Sequence, residues 1–245
     1  MAINLDTRIQ GCSLNGPQLT TDKKFAQHTM RIALVHAVTV AMQPIAEAFA
    51  RLWPEAETAN LLDDRLSVDR AKDDELTEDM FGRIATLAQY AEGTGSDAIL
   101  YTCSAFGEAI EAVAEQKSYP VLKPNEAMFE AALECGSNIG MLATFERSIP
   151  SMEAEFRELV QKQGTSATIK SVCIPDAMAA LQAGNAPRHN SLLADAASEL
   201  GSCDAIMLAQ FSTSVAREAV AKAVDCPVLT SPDAAVHKLK NLLQP

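Results

Sequence analysis

Short apolar runs alternate with longer amphipathic stretches along most of this chain. The short runs predict buried strands, and the alanine-rich stretches between them have the apolar spacing of helices. Alternating strands and helices indicate βαβ units, and hence an α/β fold with parallel sheets covered by helices on both faces. The predicted strands are 32–35, 58–62, 98–101, 121–122, 139–143, 168–172, 205–208 and 228–230; predicted helices include 42–52, 76–92, 108–115, 151–162 and 215–224.

A repeat is visible when the chain is compared with itself. The tripeptide Asp-Ala-Ile at 97–99 recurs at 204–206, and Pro-Val-Leu at 120–122 recurs at 227–229, so one offset of 107 residues superimposes both. The same offset carries the first predicted strand onto the fifth and the second onto the region near 168. We therefore expect two homologous, doubly wound halves, 31–137 and 138–245, related by a pseudo-twofold axis. Residues 1–29 lie outside the repeat and form a polar arm, and Met30 is a second possible start.

The repeat predicts where a ligand would bind. Ligands of parallel α/β sheets bind outside the carboxyl ends of the strands, so the active-site cleft is expected between the two halves. Equivalent strand ends there carry Thr102-Cys103-Ser104 and Ala209-Gln210-Phe211, which pairs Cys103 with Gln210. A cysteine before a helix has its thiolate favoured by the helix dipole, and Ser104 or Ser212 could cap the helix or hold an anion. Cys103 as an ordinary small packing residue is the equal alternative.

The composition and net charge of the chain limit the classes of partner that it is expected to bind. The chain of 245 residues has a net charge of −12, from 20 basic and 32 acidic residues, which argues against binding to nucleic acid or to an anionic membrane surface. It contains no apolar run long enough for a membrane span and no secretory signal, and its six cysteines form no CxxC pair. A cytoplasmic location is the expectation. The four histidines show no metal-ligand spacing, so no metal site is expected.

The chain resembles the aspartate/glutamate/hydantoin racemase superfamily over residues 30 to 245. The resemblance rests on a first strand RIALVHA, on DAILYTCSAFG around Cys103, on DAIMLAQFS around Gln210, and on the internal duplication. That superfamily includes amino-acid, hydantoin and allantoin racemases, maleate isomerase and arylmalonate decarboxylase. The resemblance implies two facing α/β halves, no cofactor, a strand-end cysteine in each half that moves protons on small carboxylates or carbonyl compounds, and a homodimer or higher homo-oligomer. It assigns substrate contacts to Thr102, Ser104, Asn125, Glu126, Thr144, Phe145, Phe211 and Ser212.

The sequence departs from that pattern at Gln210, where the second cysteine is missing. An amide does not exchange a proton at neutral pH, so a two-cysteine racemase is not the direct interpretation. Cys103 alone could add to a double bond, protonate an enolate left by decarboxylation or elimination, or attack an acyl or amidine carbon with Gln210 donating to the oxyanion. For racemisation, His36 at the end of the first strand is the candidate for the second proton, although a hydrogen-bonded structural histidine is the commoner case.

These observations leave three functions open. A racemase or isomerase acting on a small carboxylate or carbonyl compound is the first, with Cys103 as the essential thiol and Gln210 opposite it. A decarboxylase, lyase or hydrolase with the same fold is the second. The third is a non-catalytic binding protein, because two facing α/β halves also form a ligand clamp. Asn125 and Glu126 have an alternative as well, since their loop suits helix capping.

Overall fold

The computed structural model describes residues 28–73 and 75–244. Almost all of the predicted polar arm, including Cys12, therefore lies outside the described residues. Within them the strands are β1 Arg31–His36, β2 Glu57–Leu62, β3 Ala98–Tyr101, β4 Val121–Leu122, β5 Asn138–Ala143, β6 Thr168–Cys173, β7 Ala205–Leu208 and β8 Val228–Thr230. The helices are α1 Met42–Leu52, α2 Arg65–Arg70, α3 Glu78–Gly93, α4 Gly107–Ala114, α5 Glu126–Cys135, α6 Ile149–Gln163, α7 Pro175–Gln182, α8 Ala186–Glu199, α9 Arg217–Ala221 and α10 Ser231–Leu243.

The strands form two parallel sheets of four, in the order β2-β1-β3-β4 and β6-β5-β7-β8. The two orders correspond strand for strand, as duplication requires, and the predicted α/β fold class is confirmed. The central strands β3 and β7 are buried along their whole length, and β1 and β5 are buried after their first residue, which is expected of parallel sheets covered on both faces. In both sheets, a 3-10 turn follows the carboxyl end of each of the two central strands. These turns are Thr39–Ala41, Ser104–Phe106, Glu146–Ser148 and Phe211–Ala216.

The repeated Asp-Ala-Ile tripeptide has a structural cause. Asp97 Oδ2 accepts a hydrogen bond from the Arg31 backbone N–H at 2.7 Å, and Asp204 Oδ2 accepts one from the Asn138 N–H at 2.8 Å. Each aspartate thus fastens the start of the neighbouring central strand, and charge-assisted bonds of this kind are among the stronger ones. The motif marks the fold and is distant from the carboxyl edge of the sheets.

The pairing of β5 with β6 does not follow the 107-residue offset that relates the other strands of the two halves. Thr58 pairs with Ile32 in the first sheet, whereas Ile169 pairs with Ile139 in the second. This register is displaced by four residues from the 107-residue offset, because α6 has 15 residues and α1 has 11. The extra helical turn is absorbed before β6, so the strand still pairs with its sheet.

The last helix of each half packs against the sheet of the other half. On α10, Ala235, Val236 and Leu239 are fully buried in one cluster with Ile32 and Leu34 of β1. On α5, buried apolar side chains including Phe129 pack with β5 and β7. Burying one such large side chain is worth about 1.5–3 kcal/mol, so this exchange of helices holds the two halves together. Halves defined by chain order, 31–137 and 138–245, therefore differ from the packed units in their final helices.

Candidate active site

Cys103 lies two residues beyond β3, at the carboxyl edge of the first sheet. The backbone on both sides of it is anchored: the Thr102 N–H donates to the Val35 carbonyl at 3.0 Å, and Phe106 is buried in the core. Cys103 itself is half-buried with an extended backbone, and the next two residues, Ser104 and Ala105, are exposed. The thiol is thus fixed beside a solvent-accessible turn.

Burial raises the pKa of the Cys103 thiol, and the opposing effect of the Ala105 N–H is smaller. The thiol is accordingly neutral at pH 7, and the expectation that its thiolate is stabilised is wrong. Burial is the main reason, and in addition a 3-10 turn separates Cys103 from α4, which begins only at Gly107. A neutral thiol can donate its proton, but it must lose that proton before it can act as a nucleophile.

His36 is fully buried and has both ring nitrogens engaged. Nδ1 lies 2.8 Å from Thr102 Oγ1, and Nε2 lies 2.9 Å from Asn60 Oδ1. The amide oxygen of Asn60 only accepts, so Nε2 carries the hydrogen of the neutral imidazole and Nδ1 has a lone pair facing Thr102 Oγ1. The single Thr102 hydroxyl hydrogen is shared between Nδ1 and the Val35 carbonyl oxygen, 3.3 Å away. Burial lowers the pKa of His36, which favours this neutral form. The imidazole therefore links β1, β2 and β3 and positions the residue before Cys103, and in this arrangement it offers no free nitrogen as a second base.

Gln210 follows β7, at the position equivalent to Cys103. Its Oε1 accepts two hydrogen bonds from Thr144, one from the backbone N–H at 3.0 Å and one from the hydroxyl at 3.2 Å. Its Nε2 donates to Ser148 Oγ at 2.8 Å. The carboxamide is therefore bound to the loop after β5, and one Nε2 hydrogen is left over from these contacts. That Cys103 and Gln210 face each other across the cleft stays a prediction.

The other predicted contacts of the second half lie at different depths. Thr144 is buried and is hydrogen-bonded to Gln210, whereas Phe145 is 51% exposed on the turn that follows β5. Phe211 is 6% exposed and belongs to the apolar cluster of β1, α1 and α10, so it joins the halves as a packing residue. Ser212 is half-buried beside it.

Asn125 and Glu126 begin α5, next to the start of α10. The buried Asn125 Oδ1 accepts from Ser231 Oγ at 3.0 Å, and Glu126 pairs with Lys238 at 3.0 Å. Both contacts tie α5 to α10, and the Asn125 side chain makes no capping hydrogen bond at the start of α5. The Asn125 side chain also interacts with the Glu155 carboxyl group, which lowers the pKa of that group against the effect of its burial.

A cavity of about 430 Å³ lies beside β4, between α4 and α6. Lys123 lines it and pairs with Glu111 at 2.5 Å and with Glu155 at 3.5 Å. Burial raises the pKa of Glu155, and the neighbouring Lys123 opposes that rise. Neither Cys103 nor Gln210 is among the residues that line this cavity. Sequence reasoning did not find Glu155, which stands in mid-helix with no motif around it.

No group of three or more His, Cys, Asp or Glu side chains is arranged to hold a metal ion in residues 28–73 and 75–244. No helix in the same part of the chain has the length and apolar character needed to cross a bilayer.

This chain combines a duplicated α/β architecture with a thiol at one of two equivalent strand ends, and these two features can be compared with those of known families. The family model for Asp/Glu/hydantoin racemase matches residues 36–172, which is more than half of the chain. The chain belongs to this family.

Solved structures with the same fold include three racemase relatives. An aspartate racemase homologue from Pyrococcus horikoshii OT3 superimposes with a TM-score of 0.68 at 13% identity, covering 89% of this chain and 100% of the other. Glutamate racemase from Bacillus anthracis gives 0.63 at 14% identity, covering 89% and 82%. Allantoin racemase from Pseudomonas fluorescens gives 0.62 at 18% identity, covering 88% and 91%. Comparison with curated protein sequences gave no match.

Proposed function

We propose that this protein is a cofactor-independent enzyme of the isomerase type, in which Cys103 is the acid–base group at a carbon next to the carboxylate or carbonyl group of a small substrate: its thiolate form removes the proton from that carbon, and the thiol so formed returns it. The observation that carries the proposal is the position of the thiol. Cys103 is held at the carboxyl edge of the sheet, where α/β proteins bind ligands, and it adjoins an exposed turn. Proteins with this fold are named as racemases of glutamate and allantoin and as an aspartate racemase homologue, and these compounds are small carboxylate or carbonyl compounds.

The protonation state of the thiol suits donation. Because burial raises its pKa, Cys103 holds its proton at pH 7 and can deliver it to a carbanion or enolate. Gln210, at the equivalent position, has no proton to exchange. This asymmetry favours reactions that end in a single protonation, so decarboxylation or elimination is the second candidate on the same site. Thr102 and His36 position the thiol in either case.

The test is turnover in deuterated water with a panel of small amino acids, hydantoins, allantoin, maleate and substituted malonates. Cys103→Ala should lower turnover of the accepted substrate by about a thousandfold, in the range of lost acid–base and electrostatic catalysis. Cys135→Ser, at an exposed cysteine on α5, is the matched control and should keep full activity. Carbon-bound deuterium in the product indicates proton transfer, whereas hydrolysis leaves none there. Undiminished turnover by folded Cys103→Ala would overturn the assignment.

A further inference from the structure

Two donors of the second half converge on one oxygen atom of Gln210. The backbone N–H and the hydroxyl of Thr144 lie 3.0 and 3.2 Å from Gln210 Oε1. Thr144 directly follows β5, at the edge of the sheet where ligands of this architecture bind. A backbone N–H and a hydroxyl directed at the same oxygen are the groups with which proteins bind a carboxylate or an oxyanion.

The first half supplies an internal comparison. The 107-residue offset places Ala37 at the position of Thr144, Ala41 at that of Ser148, and Cys103 at that of Gln210. The backbone N–H at position 37 is therefore retained, but the two hydroxyls and the carboxamide are absent. In the second half Thr144 and Ser148 both bind Gln210, whereas the first half has two alanines and a thiol at the same positions. The hydrogen bonds among Thr144, Ser148 and Gln210 therefore occur only in the second half. The first half adopts the same fold without equivalent side chains.

We infer that the Gln210 carboxamide occupies the anion-binding position of the second half and closes it to substrate. This inference rests on the proposed function, because it concerns the same cleft. Its consequence is a substrate class: a compound anchored through one carboxylate or carbonyl group, as opposed to a dicarboxylate that needs an anchor in each half. Gln210 is in this sense a specificity-determining residue, and the proton comes from one face only.

The experiment measures binding of acetate, which is the smallest carboxylate probe, by the backbone amide resonance of Thr144 in isotope-labelled protein. In the wild type, acetate should leave this resonance unmoved. In Gln210→Ala, the Thr144 N–H and hydroxyl lose their acceptor, so acetate should shift the resonance with an affinity at least tenfold higher than in the wild type. Adding Thr144→Val to that variant should abolish the gain, because the hydroxyl is removed. Gln161→Ala, on the exposed face of α6, is the control and should behave as the wild type.

Failure of this inference is distinguishable from failure of the proposed function, because the titration needs no turnover. If Gln210→Ala is not folded, Gln210→Asn shortens the side chain by one methylene group and permits the same measurement. An unresponsive Thr144 resonance in a folded variant, or an equal response in the wild type, would overturn the inference. A second measurement is turnover of dicarboxylates: Gln210→Ala should accept them relative to monocarboxylates at least tenfold better than the wild type, and an unchanged ratio would contradict the substrate class.

Discussion

The buried imidazole of His36 makes a quantitative prediction about stability and pH. Protonating it inside the folded protein is unfavourable, since burial lowers its pKa below 6.5, the value for the unfolded chain. Below pH 6.5 the unfolded state therefore binds more protons than the folded state, and the free energy of unfolding decreases as the pH falls. Above pH 6.5 the contribution is fully present. The loss reaches at most about 1.4 kcal/mol for each pH unit below 6.5, until the pKa of the folded state is reached.

The assay compares the wild type with His36→Gln by urea unfolding at pH 7.5, 6.5 and 5.5. At pH 7.5 the variant should be less stable by about 1–3 kcal/mol, because two hydrogen bonds in a buried site are disturbed. At pH 5.5 the difference should have shrunk by at most about 1.4 kcal/mol, since only the wild type has a buried imidazole whose protonation is unfavourable. By thermal unfolding, that change corresponds to about 3–6 °C for a chain of this length.

The comparison cancels other titrating groups. The carboxyl groups of Asp63 and Asp69 have lowered pKa values, about 2 for Asp69, but they are the same in both proteins. His237→Gln, at an exposed histidine of α10, serves as the control and should follow the wild type at every pH. A difference between wild type and His36→Gln that stays constant from pH 7.5 to 5.5 would refute the neutral, buried imidazole.

Two further predictions concern packing. A Cβ atom at Gly136 would overlap the carboxyl group of Asp204, so Gly136→Ala should destabilise the protein by about 1–3 kcal/mol in urea unfolding. The double variant Gly136→Ala, Asp204→Ala should lose less stability than the sum of the two single variants, because the clash is then absent. Full additivity would contradict the steric cause. Phe211→Ala removes a side chain that joins the halves and should cost about 3–5 kcal/mol by the same assay, whereas a cost below 1 kcal/mol would show that the ring is not an anchor.

The duplication made most of the fold predictable from the sequence. The central strands are short and mostly apolar, and the aspartate that binds the start of a central strand recurs in the same tripeptide, so the correspondence of the central strands in the two halves was visible. The exchange of α5 and α10 was not predictable. An amphipathic pattern shows that a helix has an apolar face, but not which sheet covers it. The displaced register of β6 was equally hidden, because a longer α6 changes no strand pattern.

At the site, position was predictable and chemistry was not. The repeat placed Cys103 and Gln210 after equivalent strands, and the structure puts them there. The pKa of the thiol depends on burial that only tertiary packing decides. The partners of Gln210, Thr144 and Ser148, are 66 and 62 residues away in the chain, and no spacing rule connects them.

Divergence between the two halves explains these features together. Around Gln210 the second half has hydroxyl groups that satisfy the carboxamide, and its neighbour Phe211 is buried against β1 and α1. Around Cys103 the first half has alanines at the corresponding loop positions and an exposed turn. Polar groups that satisfy one another stabilise a structure but have fewer bonds to offer a ligand. We therefore expect the second half to support the proposed cleft, with the proposed chemistry left to the thiol of the first half.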